Sequence, residues 1–178
     1  MGLIFQFCGL SGAGKTTLAN ALSDELQGKG YRVKIIDGDV YRQTLCKDLG
    51  FSRADRIENV SRLGAYAISL REEFDLILIA VINPYQEGRE MLRLKCNAKL
   101  VWIKCDIGVL INRDTKGLYQ KALLPEGHPD KIYNLTGLND VFETPVAADL
   151  VVCTDVLSTE EGLHVAADFM VGELMLHL

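Results

Sequence analysis

Short apolar runs recur along the chain and alternate with amphipathic stretches. They occupy residues 3–8, 33–36, 76–82, 100–105 and 150–153. Because the runs are continuous rather than interrupted at every second position, they are typical of parallel strands that are covered on both faces. The pattern predicts an α/β fold, a parallel five-stranded sheet with helices on both faces that form right-handed crossovers. Ligands of such sheets bind beyond the carboxyl ends of the strands.

Two helices are indicated by their first residues. Ser52 is a suitable N-cap with Asp55 three residues later, and apolar residues follow at helical spacing to about Glu73. Ser158 and Glu161 have the same spacing before the last amphipathic stretch. A serine and an acid at this spacing can satisfy the free N–H groups of a first helical turn. We therefore expect one helix to begin at each serine.

Composition limits the class of protein. With 178 residues, 48% of them hydrophobic, and no Pro/Gly/Ser-rich linker, the chain is expected to form a single domain over residues 1–178. The net charge of −5 argues against a nucleic-acid or anionic-membrane surface, because both need a basic field. The five cysteines are scattered without metal-ligand spacing, and no apolar stretch reaches the length of a membrane span. We expect reduced cysteines and a cytoplasmic protein.

A complete phosphate-binding loop (P-loop), G-x-x-x-x-G-K-[ST], follows the first apolar run with the sequence GLSGAGKT. Its glycines let backbone N–H groups surround a phosphate chain, while the lysine reaches the terminal phosphates and the threonine hydroxyl can bind Mg²⁺. The helix that follows adds its positive N-terminal end. The sequence predicts that ATP contacts Gly9, Ser11, Gly12, Ala13, Gly14, Lys15, Thr16 and Thr17.

Two carboxylates are expected beside this loop. Many P-loop enzymes have an aspartate after a later apolar strand, but residues 76–82 are followed by Asn83 and Pro84. Asp37 and Asp39 follow the second strand and would project from the same edge of the sheet as the P-loop. One could lie near Mg²⁺, with Thr16 and Asp39 as the predicted ligands, and the other could accept a proton. The alternative is a plain Asp-Gly turn.

A cluster of basic and aromatic residues surrounds the start of the Ser52 helix. Arginine binds phosphate or sulfate through two parallel hydrogen bonds, and an aromatic ring can stack on a base. The cluster therefore suits a second, anionic nucleotide opposite ATP. The alternative is a solvated charged helix whose arginines pair with Asp55 and Glu58. The cluster consists of Arg42, Phe51, Arg53, Arg56, Asn59 and Arg62.

Residues 114–143, here called the lid, interrupt the alternating pattern. They contain charge, proline and glycine but no long apolar run. Segments of this kind close over bound phosphates in small phosphotransferases and exclude water. The alternative is a disordered surface loop. A lid is favoured by the basic residues Arg113, Lys116, Lys121 and Lys131.

Five stretches together resemble the adenylyl-sulfate kinase family: GLSGAGKTT, DGDVYRQTLCKDLGFSRADRIENVSRLG, INPYQEGRE, RDTKGLYQKA and LTGLNDVFETPVAADLVV. The resemblance covers nearly the whole chain. It implies a P-loop kinase-like fold and transfer of the γ-phosphoryl group of ATP to the 3′-hydroxyl of adenylyl sulfate, with Mg²⁺. It also implies a homodimer.

The same resemblance implies a role for each matching residue. Lys15 and Thr16 would hold the phosphates of ATP and Mg²⁺, and the two aspartates would serve as proton acceptor and as metal or substrate contact, in an order that the sequence leaves open. Arg113 would lie near the base of ATP. The acceptor nucleotide would contact Asp39, Arg42, Phe51, Arg56, Asn59, Asn83, Lys116 and Leu135, with Phe51 stacked on its base.

The chain departs from the family pattern on the acceptor side. Asn83 replaces a serine, so no covalent intermediate can form there and direct in-line transfer is expected. Leu135 replaces the second aromatic residue of a base sandwich, and the longer lid has Leu123 where an arginine is common. Because of these changes, cytidine diphosphoramidate, the acceptor of a related kinase of capsule synthesis, remains an alternative to adenylyl sulfate. A catalytically inactive nucleotide switch and a nucleoside monophosphate kinase are more distant alternatives.

Overall fold

The computed structural model describes residues 1–177 and contains the expected parallel sheet. Its strand order is β2-β3-β1-β4-β5, with all four pairings parallel. The third strand ends at Ala80 rather than Ile82, and the others lie within one residue of the prediction. The strands are β1 Leu3–Cys8, β2 Val33–Asp37, β3 Leu76–Ala80, β4 Lys99–Lys104 and β5 Leu150–Cys153.

Helices connect the strands and cover both faces. Both expected capping boxes are present: Ser52 Oγ accepts a hydrogen bond from the Asp55 N–H at 3.1 Å, and Ser158 Oγ accepts one from the Glu161 N–H at 3.2 Å. The helix after Ser52 ends at Ser69 instead of Glu73, because the chain turns there to enter β3. The helices are α1 Lys15–Gly28, α2 Gly38–Tyr41, α3 Arg53–Ser69, α4 Gln86–Cys96, α5 Ile107–Arg113, α6 Leu118–Ala122 and α7 Thr159–Met175.

The sheet separates two apolar cores. Alternate residues of β1 point to opposite faces, so that Phe5 and Phe7 pack with α1 and α7 while Ile4 packs with α3 and α4. Removing these side chains from water supplies the main stabilisation of the fold. None of the helices formed by residues 1–177 is both long enough and apolar enough to cross a membrane.

The lid lies over the P-loop. It contains α6, and the rest of it is largely irregular chain. At Gly137, where φ is +88°, an added Cβ would lie 2.4 Å from Leu10 Cδ2 of the P-loop. A glycine is therefore required for this close approach.

Candidate active site

A cavity of about 620 Å³ opens at the carboxyl ends of the strands, between the P-loop, α3 and the lid. Most residues that the sequence predicts for the site line it, from both the ATP and the acceptor sets. They are Ser11, Gly12, Gly14, Lys15, Thr16, Thr17, Asp37, Asp39, Arg42, Phe51, Arg56, Asn59, Asn83, Lys116 and Leu135. Gly9, Ala13 and Arg113 are not among its lining residues.

Glycines at special backbone positions shape the P-loop. Gly14, with φ +98°, turns the chain into α1, and an added Cβ at Gly9 would lie 2.3 Å from Ile103 O. Lys15 Nζ donates to Gly9 O at 2.9 Å and Leu10 O at 2.7 Å. Burial lowers the pKa of Lys15 to about 8, and the nearby Asp39 carboxylate partly opposes this shift. A phosphate chain would supply the negative charge that favours the protonated lysine.

Thr16 and Asp37 place two hard oxygen ligands together. Thr16 Oγ1 donates to Asp37 Oδ2 at 2.6 Å, while Asp37 Oδ1 caps α2 by accepting from the Asp39 N–H at 2.8 Å. Within residues 1–177, no three His, Cys, Asp or Glu side chains cluster as a metal cage. An oxygen pair of this kind fits Mg²⁺, which usually keeps several waters and takes its other ligands from substrate phosphates.

Asp39 and Lys116 meet across the mouth of the cavity. Lys116 Nζ lies 2.6 Å from Asp39 Oδ2, and both side chains are at least half exposed. The ion pair brings the lid to the end of β2, directly beside the Thr16 and Asp37 oxygens. Both groups can therefore reach a ligand that enters the cavity.

Arg56 is buried and joins α3 to the lid. Its Nε donates to Phe51 O at 2.9 Å, and its Nη2 donates to Asn134 O at 2.8 Å and to Asp140 Oδ2 at 2.9 Å. Sequence reasoning identified Arg56 as a site residue but not its partners in the lid. Its pairing partner is not Asp55 or Glu58, the acids that the charged-helix alternative names.

The other arginines of this cluster divide into two groups. Arg42 stacks on Phe51, with 4.6 Å from its guanidinium carbon to the ring centroid, and Phe51 is half exposed toward the cavity. Arg53 lies over the Tyr85 ring, and Arg62 pairs with Asp48 and Glu58, outside the cavity. The charged-helix interpretation therefore describes Arg62 but not Arg42.

Two buried polar atoms in the cavity wall are available for a ligand. Among residues 1–177, Asn59 Oδ1 and Thr136 Oγ1 are buried without a hydrogen-bond partner. Such atoms are costly to leave unpaired, so they indicate where a polar ligand group belongs. Thr136 was missed by sequence reasoning, although its neighbour Leu135 was noted; Leu135 itself is 6% exposed and belongs to the core beside α1.

Asn83 and Arg113 have structural contacts of their own. Asn83 adopts a left-handed conformation, with φ +42°, and its buried Nδ2 donates to Gln6 Oε1 at 3.1 Å. Arg113 lies in a small cleft beside Ser11 and Gly12, where its Nη2 donates to Thr154 O at 3.2 Å. Arg113 is thus adjacent to the P-loop rather than inside the main cavity.

A P-loop at the end of β1, acids at the end of β2 and a basic lid over both define a P-loop phosphotransferase. The model of the family described as adenylylsulphate kinase matches residues 1–153. The chain is 45% identical over 163 residues to an adenylyl-sulfate kinase of Chloroflexus aurantiacus, covering 91% of this chain and 85% of that one. This chain therefore belongs to the adenylylsulphate kinase family.

Other similar proteins support the same family membership. An adenylyl-sulfate kinase of Deinococcus deserti is 41% identical over 170 residues, with 95% of this chain and 91% of the relative covered. The solved structure of the Mycobacterium tuberculosis APS kinase CysC, in complex with AMPPNP and APS, superposes with a TM-score of 0.87 at 32% identity, covering 96% of this chain and 98% of that one.

Proposed function

We propose that this chain, an ATP-dependent adenylyl-sulfate kinase by family, transfers the γ-phosphoryl group of ATP directly to the 3′-hydroxyl of adenylyl sulfate. The 3′-oxygen forms a bond to the γ-phosphorus, the bond from that phosphorus to the β–γ bridging oxygen breaks, and 3′-phosphoadenylyl sulfate and ADP result. The observation that supports this mechanism is the contact between Thr16 and Asp37, because it joins an acid from the end of β2 to the P-loop. Asn83 has no hydroxyl through which a covalent intermediate could form.

The donor side follows from the P-loop. Its backbone N–H groups and Lys15 hold the phosphates of ATP, and Thr16 and Asp37 hold Mg²⁺. The sequence named Thr16 and Asp39 for the ion; the 2.6 Å contact and the orientation of Asp37 toward Thr16 favour Asp37. When bound, Mg²⁺ neutralises charge that develops on the β- and γ-phosphate oxygens.

Asp39 is then the proton acceptor. Its side chain is 68% exposed and is held by Lys116 alone among the side-chain contacts described, so an incoming hydroxyl can reach it. Lys116 exchanges this ion pair for the transferring phosphoryl group once both substrates are bound, because positive charge there stabilises the transition state. The lid thus both supplies a catalytic cation and excludes water from the cavity.

Adenylyl sulfate occupies the opposite side of the cavity. Phe51 stacks on its base, Arg42 and Arg56 balance its negative charge, and Asn59 offers an unpaired amide oxygen. Leu135 presents an apolar rather than an aromatic surface on the lid side. Base stacking on one aromatic ring supplies about 1–3 kcal/mol, which is enough to orient the nucleotide.

Steady-state ADP release with adenylyl sulfate tests this proposal. We expect Mg²⁺-dependent turnover and a ³¹P NMR spectrum in which the new phosphate is a 3′-ribose monoester. Cytidine diphosphoramidate and adenosine monophosphate serve as control acceptors and should be far poorer. No turnover of adenylyl sulfate at saturating concentration, or a product phosphorylated on a 5′-phosphate, would contradict the assignment.

We also propose that the chain acts as a homodimer, on the basis of the family resemblance. A hexameric APS kinase from Thiobacillus denitrificans is 26% identical to this chain with a TM-score of 0.70, but this chain covers only 29% of that longer one. Light scattering at assay concentration should give twice the chain mass. A monomer mass for the fully active protein would contradict a dimer.

A further inference from the structure

Several backbone carbonyl groups of the P-loop accept hydrogen bonds from side chains. Lys15 Nζ contacts two of them, at Gly9 and Leu10. The other two partners come from distant parts of the chain: Tyr119 Oη donates to Ser11 O, and Thr154 Oγ1 donates to Ala13 O, each at 2.9 Å. In a peptide plane the N–H and C=O point in opposite directions. A donor that holds the carbonyl therefore also fixes where the next N–H points.

Tyr119 forms the first of these two contacts from the lid. Its side chain is 2% exposed, and its position at the start of α6 is fixed because Asp114 Oδ1 accepts from the Tyr119 N–H at 3.0 Å. Burial raises the pKa of Tyr119 to about 12, so its hydroxyl remains a donor throughout the neutral range. The bond to Ser11 O spans 108 residues and joins the lid to the P-loop.

Thr154 forms the second contact from the end of β5. Its own N–H donates to Lys104 O at 2.8 Å, which fixes its position relative to the sheet. Its hydroxyl then reaches Ala13 O, the carbonyl immediately before Gly14 and the start of α1. Ser11, the P-loop residue that Tyr119 contacts, lines the cavity, whereas Ala13, which Thr154 contacts, does not.

We propose that Tyr119 and Thr154 are positioning residues that hold the P-loop peptide planes with their N–H groups aimed at the phosphates of ATP. Neither residue lines the main cavity, and both contact the backbone of the P-loop. A loop fixed in its binding conformation loses less conformational freedom when the nucleotide binds, so the two hydroxyls increase ATP affinity. The inference rests on the proposed function only in taking ATP as the ligand of this loop.

The test variants are Tyr119→Phe and Thr154→Val, each of which removes one of the two hydroxyl groups. Two control variants accompany them. Thr154→Ser retains the donor, and Tyr133→Phe removes the hydroxyl of another lid tyrosine, one that is exposed and contacts Gly127. Calorimetry gives the Kd of a nonhydrolysable ATP analogue, and steady-state kinetics give the KM of each substrate. Thermal unfolding gives Tm for every variant.

We expect Tyr119→Phe and Thr154→Val each to raise the Kd and KM for the ATP site about three- to tenfold, the factor that corresponds to one net hydrogen bond. The KM of adenylyl sulfate should stay within about twofold, and Thr154→Ser and Tyr133→Phe should resemble the unmodified chain. An unchanged analogue Kd in both variants overturns the proposal, and so does an equal loss for both substrates. Because analogue binding needs no acceptor, this result is independent of which acceptor the enzyme uses.

Discussion

Lys116 Nζ and Asp39 Oδ2 lie 2.6 Å apart, although 77 residues separate them in the chain. This ion pair joins the lid to the acid that we propose as proton acceptor. Both partners are exposed, so the pair itself adds little to stability, and the role that we propose for it is catalytic. The lysine also lines the same cavity as the P-loop residues Lys15 and Thr16.

Replacing Lys116 should therefore impair chemistry more than folding. We expect Lys116→Ala to lower kcat roughly 10²-fold, because a preorganised cation near the transferring phosphoryl group is lost. Tm should change little. Lys121→Ala is the matched control, since Lys121 is an exposed lysine of the same lid. A kcat for Lys116→Ala equal to that of the control would remove Lys116 from the mechanism.

Substitution of Asp37 and substitution of Asp39 should impair the enzyme in different ways. Asp37→Asn is expected to raise the Mg²⁺ concentration for half-maximal rate about tenfold or more, because a charged oxygen ligand becomes a neutral one. Asp39→Asn should keep the Mg²⁺ requirement and lower kcat roughly 10²- to 10⁴-fold, the usual range for loss of a general base.

Magnesium titrations of both variants decide between these roles. The control is Asp24→Asn on the exposed side of α1. If Asp39→Asn, rather than Asp37→Asn, shifts the Mg²⁺ dependence, the assignment is reversed and Asp39 is the metal ligand that the sequence named.

The sequence predicted the parts of this site that depend on local pattern and on sheet geometry. The P-loop motif and the carboxylates after β2 were expected at the same edge of the sheet, because the carboxyl ends of parallel strands lie together. The capping box at Ser52 predicted where α3 begins, and helical spacing put Arg56 and Asn59 on one face of it. Periodicity and motif spacing were sufficient for these expectations.

Contacts between distant segments could not be predicted in this way. The partner of Tyr119 is 108 residues away and that of Thr154 is 141 residues away, and each contact is made to a backbone carbonyl that no motif specifies. Thr136 was missed for a similar reason, because no motif marks it as a site residue, although its hydroxyl is left unpaired in the cavity wall. The lid is held by such contacts rather than by regular secondary structure, which is why its arrangement was the least predictable.

Lys15 should make ATP binding sensitive to alkaline pH. Burial lowers its pKa in the free enzyme to about 8, so the lysine loses its charge as the pH rises through that value. We expect the Kd of a nonhydrolysable ATP analogue to rise above about pH 8, and kcat/KM for ATP to fall in the same range. At saturating ATP, kcat should be less affected, because the bound phosphates favour the charged lysine.

Calorimetric titrations between pH 6.5 and pH 9.5 extend roughly one and a half pH units to either side of the Lys15 pKa of about 8, so they would show this inflection. Asp39→Asn removes a neighbouring negative charge that raises the pKa of Lys15, so its inflection should move to lower pH. A Kd that stays constant to the alkaline limit would show that Lys15 remains charged in the free enzyme.

Asn83 should contribute to stability through both its backbone and its amide. Its φ of +42° favours asparagine over serine, and its buried Nδ2 satisfies Gln6 Oε1. Asn97 has nearly the same backbone conformation, φ +46°, at the exposed end of α4. Serine variants at the two positions therefore separate the backbone contribution from the amide contribution. Asn97→Ser changes only the backbone preference, whereas Asn83→Ser also leaves the buried Gln6 Oε1 unpaired.

We expect Asn97→Ser to lower the free energy of unfolding by about 1 kcal/mol and Asn83→Ser to lower it by about 2–4 kcal/mol, as urea denaturation would measure. Asn83→Gly should fall between them, since glycine adopts the left-handed conformation without strain but cannot donate to Gln6. Equal losses for both serine variants would mean that the Gln6 contact contributes nothing. Because Asn83 lines the cavity, a large loss for Asn83→Ser would indicate that the residue at this position maintains the cavity wall through its contact with Gln6.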